Sequence, residues 1–290
     1  MFFWTPEPDR KMYMILQSVL SRRGAAIPIV FLLSLLILSI LIPFISPYAE
    51  DIRGATHFQN GNKEPSLQHW FGTDSAGRDV FTLTVRASIS SLKVAFGVVV
   101  LAVILGTPLG LLAGTIGGWV DEIIMRIADG FLAFPPLILP LTITAVLGPS
   151  LNNMIIGIAI SWFPWYVRIA RSQAIIIRSM DYVLFSKSMG SGNLHMVKNH
   201  ILPNSISPIV VQASIDAGFA ILMSAGLSFI GLGAQPPEAE WGLLITQSRV
   251  QFLNHWWVVT FPGLFIVGTV LSFNMIGDEL RNILNPRLND

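Results

Sequence analysis

Three groups of polar residues in this apolar chain have types and spacings that could do chemistry. The first is Asp121, Glu122, Arg126 and Asp129. Glu122 and Arg126 are four apart, and Arg126 and Asp129 three apart, so on a helix these charges share one face. Charges at a bilayer edge cost little, whereas deeper ones pair or line a path. The quartet therefore reads as a structural ion-pair cluster or as a gate. The second group lies in Trp70-Phe71-Gly72-Thr73-Asp74-Ser75-Ala76-Gly77-Arg78-Asp79-Val80. Gly72 and Gly77 beside Asp74, Arg78 and Asp79 make a compact turn, and Asp74 or Ser75 can cap the helix that follows. This is a capped helix start with an Arg–Asp pair, or a surface on which an external partner docks. Carboxylates alone, without His or Cys, are weak evidence for a metal site, so none is expected.

The third group is the moderately polar run from Asp181 to Asn204, with Gly190-Ser191-Gly192-Asn193 at its centre. Gly190 is placed to end a first short helix in the left-handed conformation. Asn193 can cap a second, and Asp181 the first. With Asp181 as cap, Leu184 is the third helical position.

Catalytic constellations are missing. There is no G-x-x-x-x-G-K-[ST] phosphate loop, no H-E-x-x-H and no G-x-S-x-G. His57, His69, His195, His200 and His255 are scattered, and the chain has no Cys. Acids within the apolar segments are few besides Asp216 and the 121–129 quartet, which argues against a carrier with its own proton relay.

The elements that must position these groups follow from hydropathy. Apolar residues make up 52% of the 290 and charged residues 12%, against about 25% charged in soluble domains. Mean hydropathy is +0.63. The net charge of +1 argues against a nucleic-acid binder. Charge-free runs of about 20 residues mark membrane crossings. They predict six spans, near 25–45, 88–114, 121–147, 152–172, 205–232 and 257–280. In lipid these must be helices. The expected class is an all-α polytopic membrane protein with six transmembrane helices. Gly148-Pro149-Ser150-Leu151-Asn152-Asn153 turns the chain between spans three and four, and Pro135, Pro136 and Pro140 bend span three.

Span one has too long an apolar run for a cleaved signal and is expected to stay as an anchor. Of the 18 basic residues, 11 fall before span one, between spans four and five, and after span six (Arg10, Lys11, Arg22, Arg23; Arg168, Arg171, Arg178, Lys187, Lys198; Arg281, Arg287). That side is expected to be cytoplasmic. The resulting plan is a cytoplasmic N-terminus at 1–24, a first transmembrane helix at 25–48 and an extracytoplasmic segment at 49–86. A five-helix core at 87–283 carries the cytoplasmic loop 181–204, and 284–290 is a cytoplasmic tail. The Gly/Pro-rich stretch from Gly231 to Gly242 should lie outside, with Gln235 and Trp241 as further docking candidates. Trp241, Trp256 and Trp257 fit an interfacial belt.

Four strings resemble one family. Gly190 followed by Leu202-Pro203 is similar to the cytoplasmic coupling loop of binding-protein-dependent ABC importer permeases, whose pattern is Glu-Ala-Ala, three residues, Gly, a spacer, then Ile-x-Leu-Pro. The string at 70–80 resembles the second permease of the dipeptide/oligopeptide/nickel group. So do Leu227-Ser228-Phe229-Ile230-Gly231-Leu232-Gly233-Ala234-Gln235-Pro236-Pro237 with Glu240-Trp241-Gly242, and Phe273-Asn274-Met275-Ile276-Gly277-Asp278-Glu279-Leu280-Arg281 with Asn285-Pro286-Arg287-Leu288.

The resemblance implies the type I ABC importer permease fold in a cell inner (plasma) membrane. It implies a homologous second permease, two cytoplasmic ATPase subunits and an extracytoplasmic solute-binding protein as partners. ATP and Mg would be bound by the ATPases, with no cofactor on this chain. Leu184, Phe185, Ser186, Gly190, Gly192, Asn193, Ile201, Leu202 and Pro203 would form the ATPase-coupling loop. Substrates would be di- or oligopeptides, with glutathione-like peptides or nickel chelates as the alternative. Leu184-Phe185-Ser186 departs from Glu-Ala-Ala, and His200 stands where the pattern has Ile. The expected consequence is loss of a capping box and docking by hydrophobic insertion.

Overall fold

The computed structural model describes residues 23–284. Arg10, Lys11, Arg22 and the Asn285-Pro286-Arg287-Leu288 string lie outside them. In chain order the helices are α1 (Arg23–Ile45), α2 (Val80–Ile116), α3 (Gly118–Leu132), α4 (Ile138–Leu147) and α5 (Leu151–Arg178), followed by α6 (Asp181–Ser188), α7 (Asn193–Met196), α8 (Leu202–Phe229), α9 (Trp241–Ser248) and α10 (Trp257–Leu284). No strand occurs among the described residues.

Four stretches are long and apolar enough to cross a membrane: Gly24–Ile45, Val80–Ile116, Asn193–Phe229 and Trp257–Leu284. α5 is 28 residues long but carries Asn152, Asn153, Arg168 and Arg171, which lower its hydropathy. The expected third span is a correction. It is two helices, broken at Ala133–Leu137. Pro135 and Pro136 lack the amide hydrogens an α-helix needs there, so the helix breaks instead of bending. The 10 residues of α4 reach only about 15 Å, half of a hydrocarbon core of about 30 Å. α3 and α4 must therefore cross together, and the arrangement is compatible with six crossings. The turn before α5 is as expected. Gly148 has φ 90°, and the Ser150 hydroxyl accepts from Asn153 N at 3.1 Å.

The most extensive packing joins α2 to α5. Val94 and Val98 of α2 pack with Met154, Ile158, Trp162 and Tyr166 of α5 in one buried cluster. Between spanning helices the hydrophobic effect is weak, so close backbone approach must supply the attraction. Gly106, Gly110 and Gly114 supply it. A Cβ on Gly110 would overlap the Val167 carbonyl and lie 2.8 Å from Ala170 Cβ, and one on Gly114 would lie 2.6 Å from the Arg171 carbonyl. The four-residue spacing puts the three glycines on one face of α2, and only the fold shows that α5 lies against it.

Candidate functional site

The 181–204 element grows directly out of α5. α6 starts after Met180, whose φ of −75° and ψ of 142° make it the N-cap. Asp181 is therefore the first helical residue, where its carboxylate meets the positive end of the helix dipole. This corrects the expectation that Asp181 caps the helix. The third position is Val183, buried against the core, and not Leu184, so the capping-box argument about position 184 falls. Gly190 behaves as expected, with φ +90°. Its N–H donates to Lys187 O at 3.0 Å, and Ser191 N donates to Ser186 O at 3.2 Å. These bonds close the helix in a Schellman turn. Gly192 occupies the N-cap of α7 and Asn193 is the first helical residue without a side-chain cap, which corrects the role expected of Asn193.

Beyond α7 the chain stays helical through a wide turn at Val197–Ile201. Pro203, one residue into α8, has no amide hydrogen to donate, a local cause for the widened turn. Val183, Met196 and Ile201 are buried with α5 side chains. They fix the hairpin to the bundle. The Ser186 hydroxyl donates to Ser191 Oγ at 2.9 Å, and Tyr182 meets His200 edge-on at 5.8 Å. The outward side is apolar: Phe185 is 68%, Met189 74% and Leu194 81% exposed, with Leu184 and Leu202 partly so. Such a contiguous patch marks an interaction surface. Met189 and Leu194 were missed, because only their flanking position on the turn, not any motif, places them beside Phe185.

The charged quartet is divided among partners far along the chain. Arg171 Nε and Nη2 donate to the two Asp121 oxygens at 2.5 and 2.7 Å. Arg168 Nη2 donates to Asp129 Oδ1 at 2.6 Å. Only Glu122 and Arg126 pair locally, at 3.6 Å and with both side chains exposed. The expected sharing of Arg126 with Asp129 is corrected, because Arg168 takes that carboxylate. A bidentate and a single contact two turns apart on α3 thus clamp it to α5, and the bidentate one is the stronger geometry. Arg178 adds a donation from Nη1 to Thr115 O at 3.1 Å, tying the foot of α5 to α2.

At the opposite end, the 46–80 segment is stitched inward. Asp74 accepts from Ala76 N and Arg78 N, both at 2.9 Å, and from Arg78 Nε at 2.8 Å. It closes the loop and caps nothing. The N-cap of α2 is Asp79, which accepts from Thr82 N at 2.8 Å and faces His69 Nδ1 at 3.0 Å. Asp79 N donates to Asp51 Oδ2 at 2.8 Å, and His57 Nε2 lies 3.2 Å from Asp51 Oδ1. Burial pushes the Asp51 carboxyl above the usual range.

The tryptophans require a correction. Trp241 and Trp257 are buried and donate from Nε1 to Thr84 O and Thr73 O, because an indole N–H taken from water needs an acceptor. Of these three, Trp256 alone is half-exposed. Gly72 packs against the Trp257 ring, and a Cβ on Gly77 would overlap the His57 carbonyl. Gln235 Nε2 donates to the Gly231 and Gly233 carbonyls. Arg78 Nη2 donates to Gln247 Oε1 at 3.3 Å. Gly72, Asp74, Gly77, Arg78 and Asp79 hold the 46–80 segment together from within, whereas Trp241 is buried against α2 and Gln235 is exposed on its own 231–235 turn. The segment's outward apolar groups are others, including Phe58 and Leu67, and the stretch before α10 adds Val250 and Leu253.

Glu240 was missed as a positioning residue. It is wholly buried and caps α9, with Oε2 accepting from Leu243 N at 2.9 Å and Ser228 Oγ at 2.8 Å. Burial pushes its carboxyl upward. Among the described residues no group of three or more His, Cys, Asp or Glu could hold a metal.

The helical bundle with a short helix-turn-helix at one end defines a class of polytopic membrane protein. It superposes on a solved structure of the MetNI methionine ABC transporter in an inward-facing conformation with TM-score 0.59 at 19% identity, covering 70% of this chain and 96% of that one. An amino acid ABC transporter superposes with TM-score 0.55 at 16% identity, over 70% of this chain and 94% of that chain. Residues 106–290 match the family described as binding-protein-dependent transport system inner membrane component. The chain belongs to that family of ABC importer permeases. It is 44% identical over 87% of its length to the probable D,D-dipeptide transport system permease protein DdpC of Escherichia coli K12, covering 85% of that protein. To the dipeptide transport system permease protein DppC of Alkalihalophilus pseudofirmus it is 44% identical, with 91% of this chain and 86% of that protein covered. To the glutathione transport system permease protein GsiD of Pectobacterium atrosepticum it is 38% identical, over 89% and 85%.

Proposed function

We propose that this chain is the permease subunit of an ATP-driven importer of di- or oligopeptides. It forms the path with a homologous second permease, receives substrate from an extracytoplasmic solute-binding protein and is driven by two ATPase subunits that bind the ATP and Mg. The observation that carries the reading is the α6–α7 hairpin. It is closed by Gly190, anchored through Val183, Met196 and Ile201, and presents Leu184, Phe185, Met189 and Leu194 outward. An ATPase groove covering that patch would move α5 and α8 together, since the hairpin is continuous with both. The same reading puts the hairpin and both termini in the cytoplasm and the 46–80 segment outside, in agreement with the distribution of basic residues.

Two of the relatives named above carry dipeptides in their names, which supports peptides as the substrate class. The glutathione permease supports the second reading, a glutathione-like peptide.

The test is co-purification of the ATPases with the Leu184→Ala/Phe185→Ser double variant, together with ATP-driven dipeptide uptake by the complete assembly. Loss of both, with the variant still inserted in the membrane, is the expected result. Undiminished assembly and transport would refute docking through this face.

A further inference from the structure

One ionisable side chain lies deep on the seam between α5 and α8. Asp216 stands at the middle of the 28-residue α8 and is partly accessible. Its Oδ2 accepts from the Tyr166 hydroxyl at 2.7 Å, and its Oδ1 accepts from Gln212 Nε2 at 2.9 Å. Both donors are neutral, and none of the ion pairs among the described residues includes Asp216. A carboxylate halfway along a spanning helix is costly against lipid. Such groups face a bundle interior or a water-filled path.

A second observation puts a path on the same face. Non-helical backbone at membrane depth is tolerated only inside protein or along an aqueous cavity. The joint at 133–137 lies midway along the α3–α4 crossing, and Phe134 and Leu137 there are about half-exposed. The joint is therefore not covered by its own chain. Phe134, Pro135, Pro136, Trp162 and Trp165 line one cleft. Trp162 stacks on Phe219 with ring centroids 5.6 Å apart, and Phe219 is three residues beyond Asp216 on α8. The open joint, the aromatic pair and the acid form one continuous strip.

We propose that this strip is the chain's wall of the translocation path, and that Asp216, oriented by Tyr166 and Gln212, receives the ammonium group of the passing peptide. The inference rests on the peptide-permease reading and names a contact for its substrate. A carboxylate has about four lone-pair sites. Tyr166 and Gln212 occupy two of them, which leaves acceptors for an ammonium, and the half-exposed Phe219 ring, backed by Trp162 one turn away, suits a cation.

The complete importer in proteoliposomes tests this with a dipeptide bearing a free N-terminus. For Asp216→Asn, dipeptide imported per ATP hydrolysed should fall about tenfold, the value of one lost charged hydrogen bond. Asp216→Glu should stay within about threefold of wild type, on the same scale. Because the chain has no Cys, Phe219→Cys reports accessibility without touching the Asp216 hydrogen bonds. A charged, water-borne thiol reagent should label it and should leave Val100→Cys on α2 unlabelled. An unchanged import ratio in Asp216→Asn, or a Phe219→Cys that stays unlabelled with and without ATP, overturns the proposal while wild-type uptake keeps the permease reading intact. Absence of ATP-driven dipeptide uptake by the wild-type assembly overturns both.

Discussion

Replacing Gly110 with Ala should destabilise the bundle although Ala is the better helix former. Two terms oppose each other. In a helix interior Gly→Ala gains about 1 kcal/mol of propensity. At Gly110, however, the new methyl would sit 2.8 Å from Ala170 Cβ and 3.0 Å from Arg171 N, and would overlap the Val167 carbonyl. Ordinary contact begins at 3.4 Å, so α5 must retreat by about 0.6 Å from Ala170 alone. A helix is stiff, so the retreat also loosens the contacts at Gly106 and Gly114. Overpacking of this kind costs about 1–3 kcal/mol; with three atoms inside contact distance the upper part of that range applies and outweighs the propensity gain, for a net loss of up to about 2 kcal/mol. Gly130 on α3 is the control, because a Cβ there meets nothing within 4 Å and only the propensity term remains. Thermal unfolding of the purified complex reads both, at about 2–4 °C per kcal/mol for a chain of this size. The midpoint should fall for Gly110→Ala and hold or rise for Gly130→Ala. Shifts of the same sign in the two variants would refute the close-approach argument.

Three further outcomes can be checked together. In a double-mutant cycle, Asp121→Ala with Arg171→Ala should show a coupling of about 1–3 kcal/mol, and the more exposed Asp129–Arg168 pair about 0.2–1 kcal/mol. Equal couplings would count against the bidentate geometry. Gly190→Val meets no steric obstacle but must hold φ +90°, at about 1–2 kcal/mol or more for a branched residue. It should reduce ATP turnover stimulated by the loaded binding protein, and Gly190→Asn should be milder; identical turnover in all three proteins would exclude a left-handed requirement. Burial raises the Glu240 carboxyl above its ordinary value of 4.5, so the folded state binds its proton more tightly than the unfolded state. Its stabilising contribution is complete below that ordinary value and is lost as pH rises through the folded one. Glu240→Gln should remove that slope, so its melting temperature should gain on the wild type as pH increases; parallel profiles would argue against an uncharged, buried carboxyl.

Some of this molecule was legible locally. Hydropathy located the long helices because a spanning helix must be apolar along its length whatever it packs against. Gly190, a disturbance at Pro135-Pro136 and the turn at Gly148 were legible because each depends on the backbone preference of one or two residues, although the prolines break the helix where a bend was expected. The 181–204 element was recognisable for the same reason, its turn and its Leu202-Pro203 exit being local signatures. Caps were less so. Asp74, Asp79 and Asp181 are chemically interchangeable as caps, and only the position at which the chain enters the helix chooses among them.

What the chain could not show is which polar groups meet. Arg126 stood three residues from Asp129, yet Arg168 holds that carboxylate from 39 positions away, and Arg171 reaches Asp121 across 50. Trp241 and Trp257 had the composition of an interfacial belt, but the fold buries them on Thr84 and Thr73. The sequence by itself determined the long apolar helices and the hairpin that joins α5 to α8, because those depend on short-range preferences and on the solvent. Tertiary structure alone decided the α2–α5 glycine seam, the Asp–Arg clamps and the place of Asp216 between Tyr166 and Gln212. Each is a contact between segments distant along the chain, and no local preference encodes a partner that far away.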